Sequence, residues 1–445
     1  MTGPKLSKPN PLRVPTPEPW PARTSISCVV LVATALVAPE QSWSAPKLSG
    51  LAGRTIELVE SVPIETPLDD PMIRNTPEVW REMIAAADSI IEIETFYVSG
   101  DSAGHRFAEI VAALEQASMR GVALRLLSDA GFARTYPDVL AQIASLPGAE
   151  VRLLDVKQLW GGILHAKYMV VDGEELFIGS QNWDWRSLEH VRELGVRLSH
   201  RGLASAARTI MAMDWPLGHP LGAARGGPPI DPARADQGAM ACLHPAGPFS
   251  IEISSGDTAS VQFAASPPQA LPPGIPWDEP LLVEMIDSAS KTVCAQVLTF
   301  DPVGAHRYHE ALECALKRAA ARGVKVRLVL SNWNKRPGSL PYVQSLAATP
   351  GIEVRFSNLP EWSGGFIPYA RVEHPKYAVV DDERCWIGTS NWTGEGFHNS
   401  RNLSVFIIGS RLPAMASRYF TTGWESQFAE PVDPCADYQP PRVGD

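Results

Sequence analysis

The pattern HxKxxxxD occurs twice, once in each half of the chain. Its six defining residues are His165, Lys167, Asp172, His374, Lys376 and Asp381. A Gly-[Ser/Thr]-x-Asn element follows each copy, GSQN ending at Asn182 and GTSN ending at Asn391. Because both the pattern and its downstream element recur, chance is not an adequate explanation. The chain is therefore predicted to contain one folding unit twice, and the residue types indicate an enzyme.

The residues after each histidine alternate as in a buried strand, KYMVVD in the first copy and KYAVVD in the second. In a strand, side chains two positions apart point to the same face, so each histidine is expected beside its lysine. Each half supplies only one such histidine. We expect the two motif strands to face one another across the domain interface and to form one shared active site.

This set of residues is suited to phosphodiester chemistry. One histidine can attack phosphorus while the other protonates the leaving oxygen. Lys167, Lys376, Asn182 and Asn391 can donate to the phosphoryl oxygens as charge builds up. Each motif aspartate is expected to be an orienting and structural group rather than a reacting one. The predicted chemistry requires no metal and no cofactor.

These motifs resemble those of the phospholipase D superfamily, over about residues 55–430. Longer stretches resemble the endolysosomal branch, the animal phospholipase-D-like 5′ exonucleases: GSQNWDWRSLEHVRELGV, RGVKVRLVLSNW, PYARVEHPKYAVV and IGTSNWTGEGF. The resemblance implies two domains related by a pseudo-twofold axis that share one active site. It also implies trimming of single-stranded DNA or RNA from the 5′ end, and for some members the processing of glycerophospholipids.

The repeat extends beyond the motifs. In the first half the predicted elements are a helix over 78–88, a strand over 90–95, a helix over 106–119, and strands over 122–127 and 151–154. In the second half they are a helix over 280–288, a strand over 292–299, a helix over 308–321, and strands over 324–330 and 352–356. Gly121 and Gly323 are expected to stop the helix before the next strand. This pattern predicts an α/β fold with two tandem α/β/α domains.

The predicted organisation has five segments. Residues 51–214 and 251–430 are the two phospholipase-D-like domains, residues 215–250 are a Pro- and Gly-rich linker, and residues 431–445 are a C-terminal tail. Residues 1–50 have the character of a targeting segment, with basic residues before an apolar run over 26–38. We expect export to the periplasm, the exterior or a lumen, with an uncleaved signal anchor and membrane association as the alternative.

Cysteine usage gives no metal-like clustering, so a zinc site is not expected. Cys242 in the predicted linker and Cys435 in the tail are candidates for a disulfide in an oxidising compartment. Nothing in the sequence predicts an oligomeric state. The net charge of −10 argues against a protein that coats duplex DNA, because such binding needs a broad basic surface. A narrow, locally basic cleft is compatible with this charge.

Glu193 and Asn402 stand at the same offset from the two motif histidines. In the superfamily this position commonly holds a carboxylate that orients the histidine and stabilises the cation formed on attack. We therefore predict that Glu193 orients His165, which acts as the nucleophile. His374 then acts as general acid and later as the base for water. The reversed roles remain an alternative, since Asn402 can also orient a ring.

Four further residues are assigned to substrate binding: Ser180, Thr389, Tyr97 and Trp160. Aromatic side chains near the cleft can stack a base, although packing at the domain interface is the alternative for Trp183 and Trp392. Two functions compete. The first is a metal-independent exonuclease that acts on the 5′ end of single-stranded nucleic acid, and the second is a phospholipase D or transphosphatidylase that acts on glycerophospholipids.

Overall fold

Each half of the chain forms a nine-stranded sheet, and the two sheets have the same strand order. The structure is a computed structural model that describes residues 56–100, 105–222, 246–254, 257–304 and 307–444. We call the described residues up to 222 the first half and those from 246 the second half.

The strands of the first half are β1 (Ile56–Ser61), β2 (Arg74–Asn75), β3 (Ile90–Thr95), β4 (Val98–Ser99), β5 (Ala123–Asp129), β6 (Ala149–Leu154), β7 (Lys167–Val171), β8 (Glu175–Gly179), β9 (Trp183–Asp184), β10 (Glu193–Ser199) and β11 (His219–Pro220). Those of the second half are β12 (Phe249–Ser254), β13 (Asp257–Ser266), β14 (Thr292–Val297), β15 (Phe300–Asp301), β16 (Val303–Gly304), β17 (Arg307–Tyr308), β18 (Lys325–Ser331), β19 (Ile352–Ser357), β20 (Lys376–Val380), β21 (Arg384–Gly388), β22 (Trp392–Thr393), β23 (Asn402–Ile408) and β24 (Ala429–Pro431).

The first sheet has the order β11-β6-β5-β3-β7-β8-β10-β1-β2, and the second has β24-β19-β18-β14-β20-β21-β23-β13-β12. The motif strands β7 and β20 occupy the same central position in each. β3 pairs parallel with β5 and antiparallel with β7, as β14 does with β18 and β20. The predicted α/β fold with a repeated domain is confirmed.

The helices are α1 (Thr76–Ala86), α2 (Arg106–Met119), α3 (Asp138–Ala144), α4 (Val156–Trp160), α5 (Trp185–Glu189), α6 (Arg201–Asp214), α7 (Asp278–Asp287), α8 (Ala311–Ala321), α9 (Leu340–Ala347), α10 (Gly394–His398) and α11 (Arg411–Glu425). Short 3-10 turns lie at Phe132–Arg134, Trp215–Leu217, Pro268–Ala270 and Asn332–Lys335. Gly121 and Gly323 have φ of 92° and 87°, the left-handed conformation predicted for these helix stops.

The alternation along β7 divides its side chains between two cores. Tyr168 and Val170 pack into a central core that also contains Tyr377 and Val379 of the second half. Met169 and Val171 instead join the outer core beneath α1 and α2. The second half has its own outer core beneath α7 and α8. The central core joins the halves, which places the motif strands at the shared interface.

The segments predicted as linker and tail contain sheet strands at their ends. His219–Pro220 pairs with β6, and Phe249–Ser254 pairs with β13. The tail also packs on the second half, since the N–H of Val432 donates to the carbonyl of Val354 at 2.9 Å. β11 is only two residues long and contains a proline, so it carries no periodic signal in the sequence.

The remainder of the predicted linker, residues 223–245, lies outside the described residues, as do Cys242 of the expected disulfide and the predicted targeting segment over 1–50. In the part of the chain that the structure describes, no helix combines the length and apolar character needed to span a membrane.

Candidate active site

The two motif histidines lie immediately before the central strands of the two sheets. His165 and His374 are each 7% exposed, and Lys167 and Lys376 are fully buried at the first positions of β7 and β20. Burial is the main factor that lowers the pKa of His165 below its usual range, and Lys167, Lys376 and His374 lower it further. These side chains from both halves therefore lie close enough to influence one another, which is the single shared site that the repeat predicts.

A backbone crossing between the halves brings the histidines together. The N–H of His374 donates to the carbonyl of Arg192 at 2.9 Å, and the N–H of His165 donates to the carbonyl of Arg401 at 2.9 Å. Each contact belongs to a short parallel bridge, Arg192 with Glu373 and Leu164 with Arg401. The chain before each histidine is thus paired with the segment that begins β10 or β23 of the opposite half.

This crossing overturns the predicted partner of each histidine. The Nδ1 atom of His374 lies 2.7 Å from Oε2 of Glu193, and Nδ1 of His165 lies 3.0 Å from Oδ1 of Asn402. The prediction that Glu193 orients His165 is wrong. Because Arg192 pairs with Glu373, the residues that follow them, Glu193 and His374, lie side by side. The equal offsets in the two halves fit either pairing, so spacing alone cannot distinguish them.

Ser180 and Thr389, predicted to bind substrate, lie instead behind the residues that contact the histidines. Both are fully buried. The hydroxyl of Thr389 donates to Oδ1 of Asn402 at 2.8 Å, and that of Ser180 donates to the carbonyl of Leu194 at 3.2 Å. Their side chains therefore help to position β10 and β23.

Glu193 is held by a second set of contacts. The hydroxyl of Ser187 donates to its Oε1 atom at 2.6 Å. Burial raises the pKa of Glu193 to about 7, against the opposing effects of Lys376, the hydroxyls of Ser180 and Ser187, and Lys167. Glu193 and His374 therefore form a fixed pair whose protonation changes near neutral pH.

Each motif lysine donates to the carbonyl of its own histidine. The Nζ atom of Lys167 lies 2.6 Å from the His165 carbonyl oxygen, and that of Lys376 lies 2.7 Å from the His374 carbonyl oxygen. Burial lowers the pKa of Lys376 to about 7, an effect that Glu193 opposes. A bound anionic substrate favours the charged form of both lysines and so opposes the effect of burial.

The asparagines of the two Gly-[Ser/Thr]-x-Asn elements form matching turns. The N–H of Asp184 donates to the carbonyl of Asn182 at 2.8 Å, and the N–H of Thr393 donates to that of Asn391 at 2.8 Å. The Oδ1 atom of each asparagine is buried without a hydrogen-bond partner among the described residues. The Nδ2 atom of Asn182 donates to the Tyr97 hydroxyl at 3.4 Å.

The motif aspartates lie at the opposite ends of the strands from the histidines. Asp172 follows β7, whose five residues span about 16 Å. Its carboxylate accepts the backbone N–H groups of Asp88, Ser89 and Ile90 at 2.8–2.9 Å. Asp381 makes the matching contacts with residues 290–292. Both aspartates therefore anchor the start of the neighbouring strand, as expected for structural groups, and lie away from the reacting centre.

Aromatic side chains border the histidine of the first half. The ring of Phe96 lies 5.2 Å from that of His165, and the ring of Tyr97 stacks on that of Tyr136 at 5.2 Å. The ring of Phe132 lies 4.1 Å from that of Phe96. We call these four rings the aromatic cluster: Phe96, Tyr97, Phe132 and Tyr136.

The second half has no matching cluster in its described residues. The parallel registers of β3 with β5 and of β14 with β18 place Leu298 and Thr299 at the positions of Phe96 and Tyr97. In the second half, Trp333 packs against Leu298 and Val372 and lies 6.4 Å from the ring of Tyr369, so the two halves carry different aromatic groups.

The tryptophans have packing roles. Trp160 lies 4.7 Å beneath the guanidinium of Arg401, and its carbonyl accepts Nδ2 of Asn399 at 2.9 Å. Trp160 thus packs between the halves. Trp183 and Trp392 are buried in the outer cores.

Two buried ion pairs cross the interface, and the sequence pattern does not predict them. Arg192 lies 2.8 Å from Glu373, and Arg401 lies 2.6 Å from Asp214. All four side chains are at most 1% exposed. The one available signal was that an arginine precedes both Glu193 and Asn402 in the repeat. The pairs fix the two backbone bridges that present the histidines.

Comparison with known proteins agrees with this geometry. Residues 80–215 and 282–424 match the family model described as cardiolipin synthase, PLD-like domain. Phospholipase D Z of Dictyostelium discoideum is 28% identical over 403 residues, which cover 86% of this chain and 92% of that protein. The 5′-3′ exonuclease PLD3 of Rattus norvegicus is 32% identical over 410 residues, covering 85% of this chain and 81% of that protein.

The fold also occurs in the crystal structure of phosphatidylserine synthase from Haemophilus influenzae Rd KW20, with a TM-score of 0.57 at 14% identity over 80% of this chain and 85% of that one. The matched family model covers both motif strands and both buried histidines. The chain thus belongs to the phospholipase D superfamily, near its 5′-3′ exonuclease branch, and is a phosphodiesterase hydrolase.

Proposed function

We propose that the protein is a 5′ exonuclease that acts on single-stranded DNA or RNA through a phosphohistidine on His165. The observation that carries the chemistry is the crossed pair of buried histidines, each with its Nδ1 atom held by a residue of the other half. Such a pair can carry out both displacements of a double-displacement reaction at one phosphorus atom.

The two partners support different roles for the two histidines. Oδ1 of Asn402 can only accept, so Nδ1 of His165 carries the proton and Nε2 keeps its lone pair. Burial and the two lysines lower the pKa of His165 and of His374 alike, so the roles are distinguished by the hydrogen-bond partners rather than by these shifts. The carboxylate of Glu193 instead stabilises a cationic His374, the form that a general acid needs. The predicted roles are thus retained on a different physical basis.

In the first step, Nε2 of His165 forms a bond to phosphorus as the bond to the leaving oxygen breaks. His374 gives its Nε2 proton to that oxygen. In the second step, His374 takes a proton from water, the hydroxide attacks phosphorus, and the bond to His165 breaks. Lys167, Lys376 and the asparagine amides donate to the phosphoryl oxygens in both steps, so charge stabilisation is provided by the protein's own side chains.

The aromatic cluster supports a nucleotide as substrate. Stacking of a base on an aromatic ring contributes about 1–3 kcal/mol and tolerates any base. The cluster lies beside His165, so it can hold one nucleoside of the cleaved phosphodiester. The relatives named 5′-3′ exonuclease agree with this assignment. An end-binding enzyme needs few phosphate contacts, which suits a chain of net charge −10.

A phospholipase D activity on glycerophospholipids is the second candidate, favoured by the relative named phospholipase D Z. Turnover of a 5′-hydroxyl oligonucleotide and of phosphatidylglycerol by one preparation separates the two candidates. We expect mononucleotides to be released from the 5′ end of the single strand, and a 5′ phosphate to inhibit. A His165→Ala control must abolish both signals if they come from this site. Internal cuts, 3′ trimming or activity on phosphatidyl substrates alone would contradict the exonuclease proposal.

Replacement of an aromatic side chain tests the nucleotide pocket. Tyr97→Leu should raise KM for the oligonucleotide by about tenfold, because one stacking platform is lost. Tyr308→Leu is the control, since Tyr308 is a half-exposed tyrosine of the second half. Equal effects of the two substitutions would exclude the aromatic cluster as the base-binding surface.

A further inference from the structure

Three side chains of the first half form a cluster that the phosphodiester chemistry does not use. They are His105 before α2, Glu189 at the end of α5, and the adjacent His190. Each residue offers one ligand atom, and these atoms all lie within 4.8 Å of one another. Nδ1 of His105 lies 2.6 Å from Oε2 of Glu189. The three residues thus converge from two separate parts of the chain.

His190 has the features of a ligand. It is 1% exposed, and its Nδ1 atom is buried without a hydrogen-bond partner among the described residues. Burial lowers the pKa of His190 to about 4, with Arg371 and His105 adding to the effect. A buried nitrogen without a partner is costly unless something occupies it.

We propose that His105, Glu189 and His190 bind one divalent transition-metal ion of the zinc class. Two imidazoles and one carboxylate are a ligand set that zinc accepts, with the fourth position open to water. Magnesium and calcium prefer oxygen ligands and fit the set less well. On binding, the ion displaces the proton shared between His105 and Glu189. Arg371 opposes a cation here, while Glu189 and the nearby Glu65 offset its charge.

The position of the cluster indicates what the ion does. The carbonyl of His190 accepts the N–H of Arg371 at 2.8 Å, and the carbonyl of Val372 accepts the N–H of Arg192 at 3.1 Å. These hydrogen bonds lie next to the backbone bridge between Arg192 and Glu373, which places Glu193 beside His374. An ion bound to His190 would therefore stabilise the first of these hydrogen bonds between the two halves. Its role is structural and does not depend on which substrate the active site takes.

Zn²⁺ binding to the full chain tests the proposal directly. The protein is purified without a histidine tag, stripped with a chelator, and titrated with Zn²⁺ by calorimetry while the melting temperature is followed. We expect one equivalent to bind, and the melting temperature to rise by a few degrees when free Zn²⁺ is about 100-fold above its dissociation constant.

Glu189→Gln and His190→Gln should each abolish this binding and this shift, and neither should unfold the metal-free protein. His219→Gln is the control, because His219 is an exposed histidine outside the cluster. The proposal is overturned if the wild type binds no Zn²⁺, or if both cluster variants bind it as the wild type does. Neither readout involves turnover, so failure here would leave the proposed exonuclease function standing.

Discussion

Glu193 belongs to the first half of the chain, yet its carboxylate lies 2.7 Å from the imidazole of His374 in the second. Asn402 makes the reciprocal contact with His165 at 3.0 Å. Each histidine is thus oriented by the half that does not carry it, so neither half contains a complete catalytic unit. Separation of the halves would break both contacts together.

Glu193→Gln should impair the general acid. The amide removes the charge that stabilises a cationic His374, and general acid catalysis typically contributes about 10²–10⁴-fold. We expect a loss in that range for a phosphodiester with a poor leaving group and a much smaller loss for a p-nitrophenyl ester, whose leaving group needs no proton. Asn402→Ala is the comparison, because loss of an orienting amide should slow both substrates alike. If Glu193→Gln also slowed both equally, the acid role of His374 would be wrong.

The pH dependence of kcat/KM should have a basic limb near pH 7. Two groups must hold their protons for the reaction. One is Lys376, with a pKa of about 7, and the other is the Glu193–His374 pair, whose carboxyl has a pKa of about 7. These protons are present below pH 7 and lost above it, so kcat/KM should fall with rising pH, about tenfold per unit for each proton. The lowered pKa of His165 keeps activity at mildly acidic pH. Glu193→Gln should make the basic limb shallower, and a profile that is flat from pH 6 to 9 would contradict this assignment.

Asp172→Asn should reduce stability much more than catalysis. Its carboxylate accepts three backbone N–H groups and the Ser89 hydroxyl at the far end of the motif strand. Loss of the charge weakens this anchor by about 1–3 kcal/mol, measured as the free energy of unfolding in denaturant. At a temperature where both proteins are folded, kcat should change less than threefold. Asp381→Asn should behave in the same way, and a large loss of kcat with unchanged stability would place these residues in the chemistry after all.

The interface ion pairs should matter mainly through their unpaired charges. Arg192→Met leaves Glu373 buried without its cation, and such a change typically costs about 3–5 kcal/mol. The double variant Arg192→Met/Glu373→Met should recover much of that loss, because no charge remains buried. Thermal unfolding of the two variants and the wild type tests this expectation. A double variant as unstable as the single one would mean that the pair itself holds the bridge.

Much of the fold follows from the sequence because periodicity is local. The strand predicted over 90–95 and the helix predicted over 106–119 match Ile90–Thr95 and Arg106–Met119 residue for residue. The motif residues of the site were found in the same way, since their spacing is short and repeated. Asp172 and Asp381 make the backbone contacts expected of structural groups.

The crossing of Glu193 to His374 could not be found from spacing, because a pseudo-twofold axis makes contacts within and between halves equally compatible with one offset. The burial of Ser180 and Thr389 depends on how β10 and β23 pack, which no local pattern reports. The cluster of His105 and Glu189 is similarly invisible, since 84 residues separate its members along the chain. Local sequence patterns do not determine such tertiary relations.

The most direct test of the shared site is to locate the covalent intermediate. His374→Gln removes the base that activates water, so a p-nitrophenyl phosphodiester, which needs no acid to leave, should load the enzyme and stop there. Mass spectrometry of the protein kept at neutral to basic pH should find one phosphoryl adduct per chain, on His165, with a burst of one equivalent of p-nitrophenol. The Glu193→Gln protein should accumulate the same adduct to a lower level. An adduct on any other residue, or a burst with no adduct at all, would contradict the account.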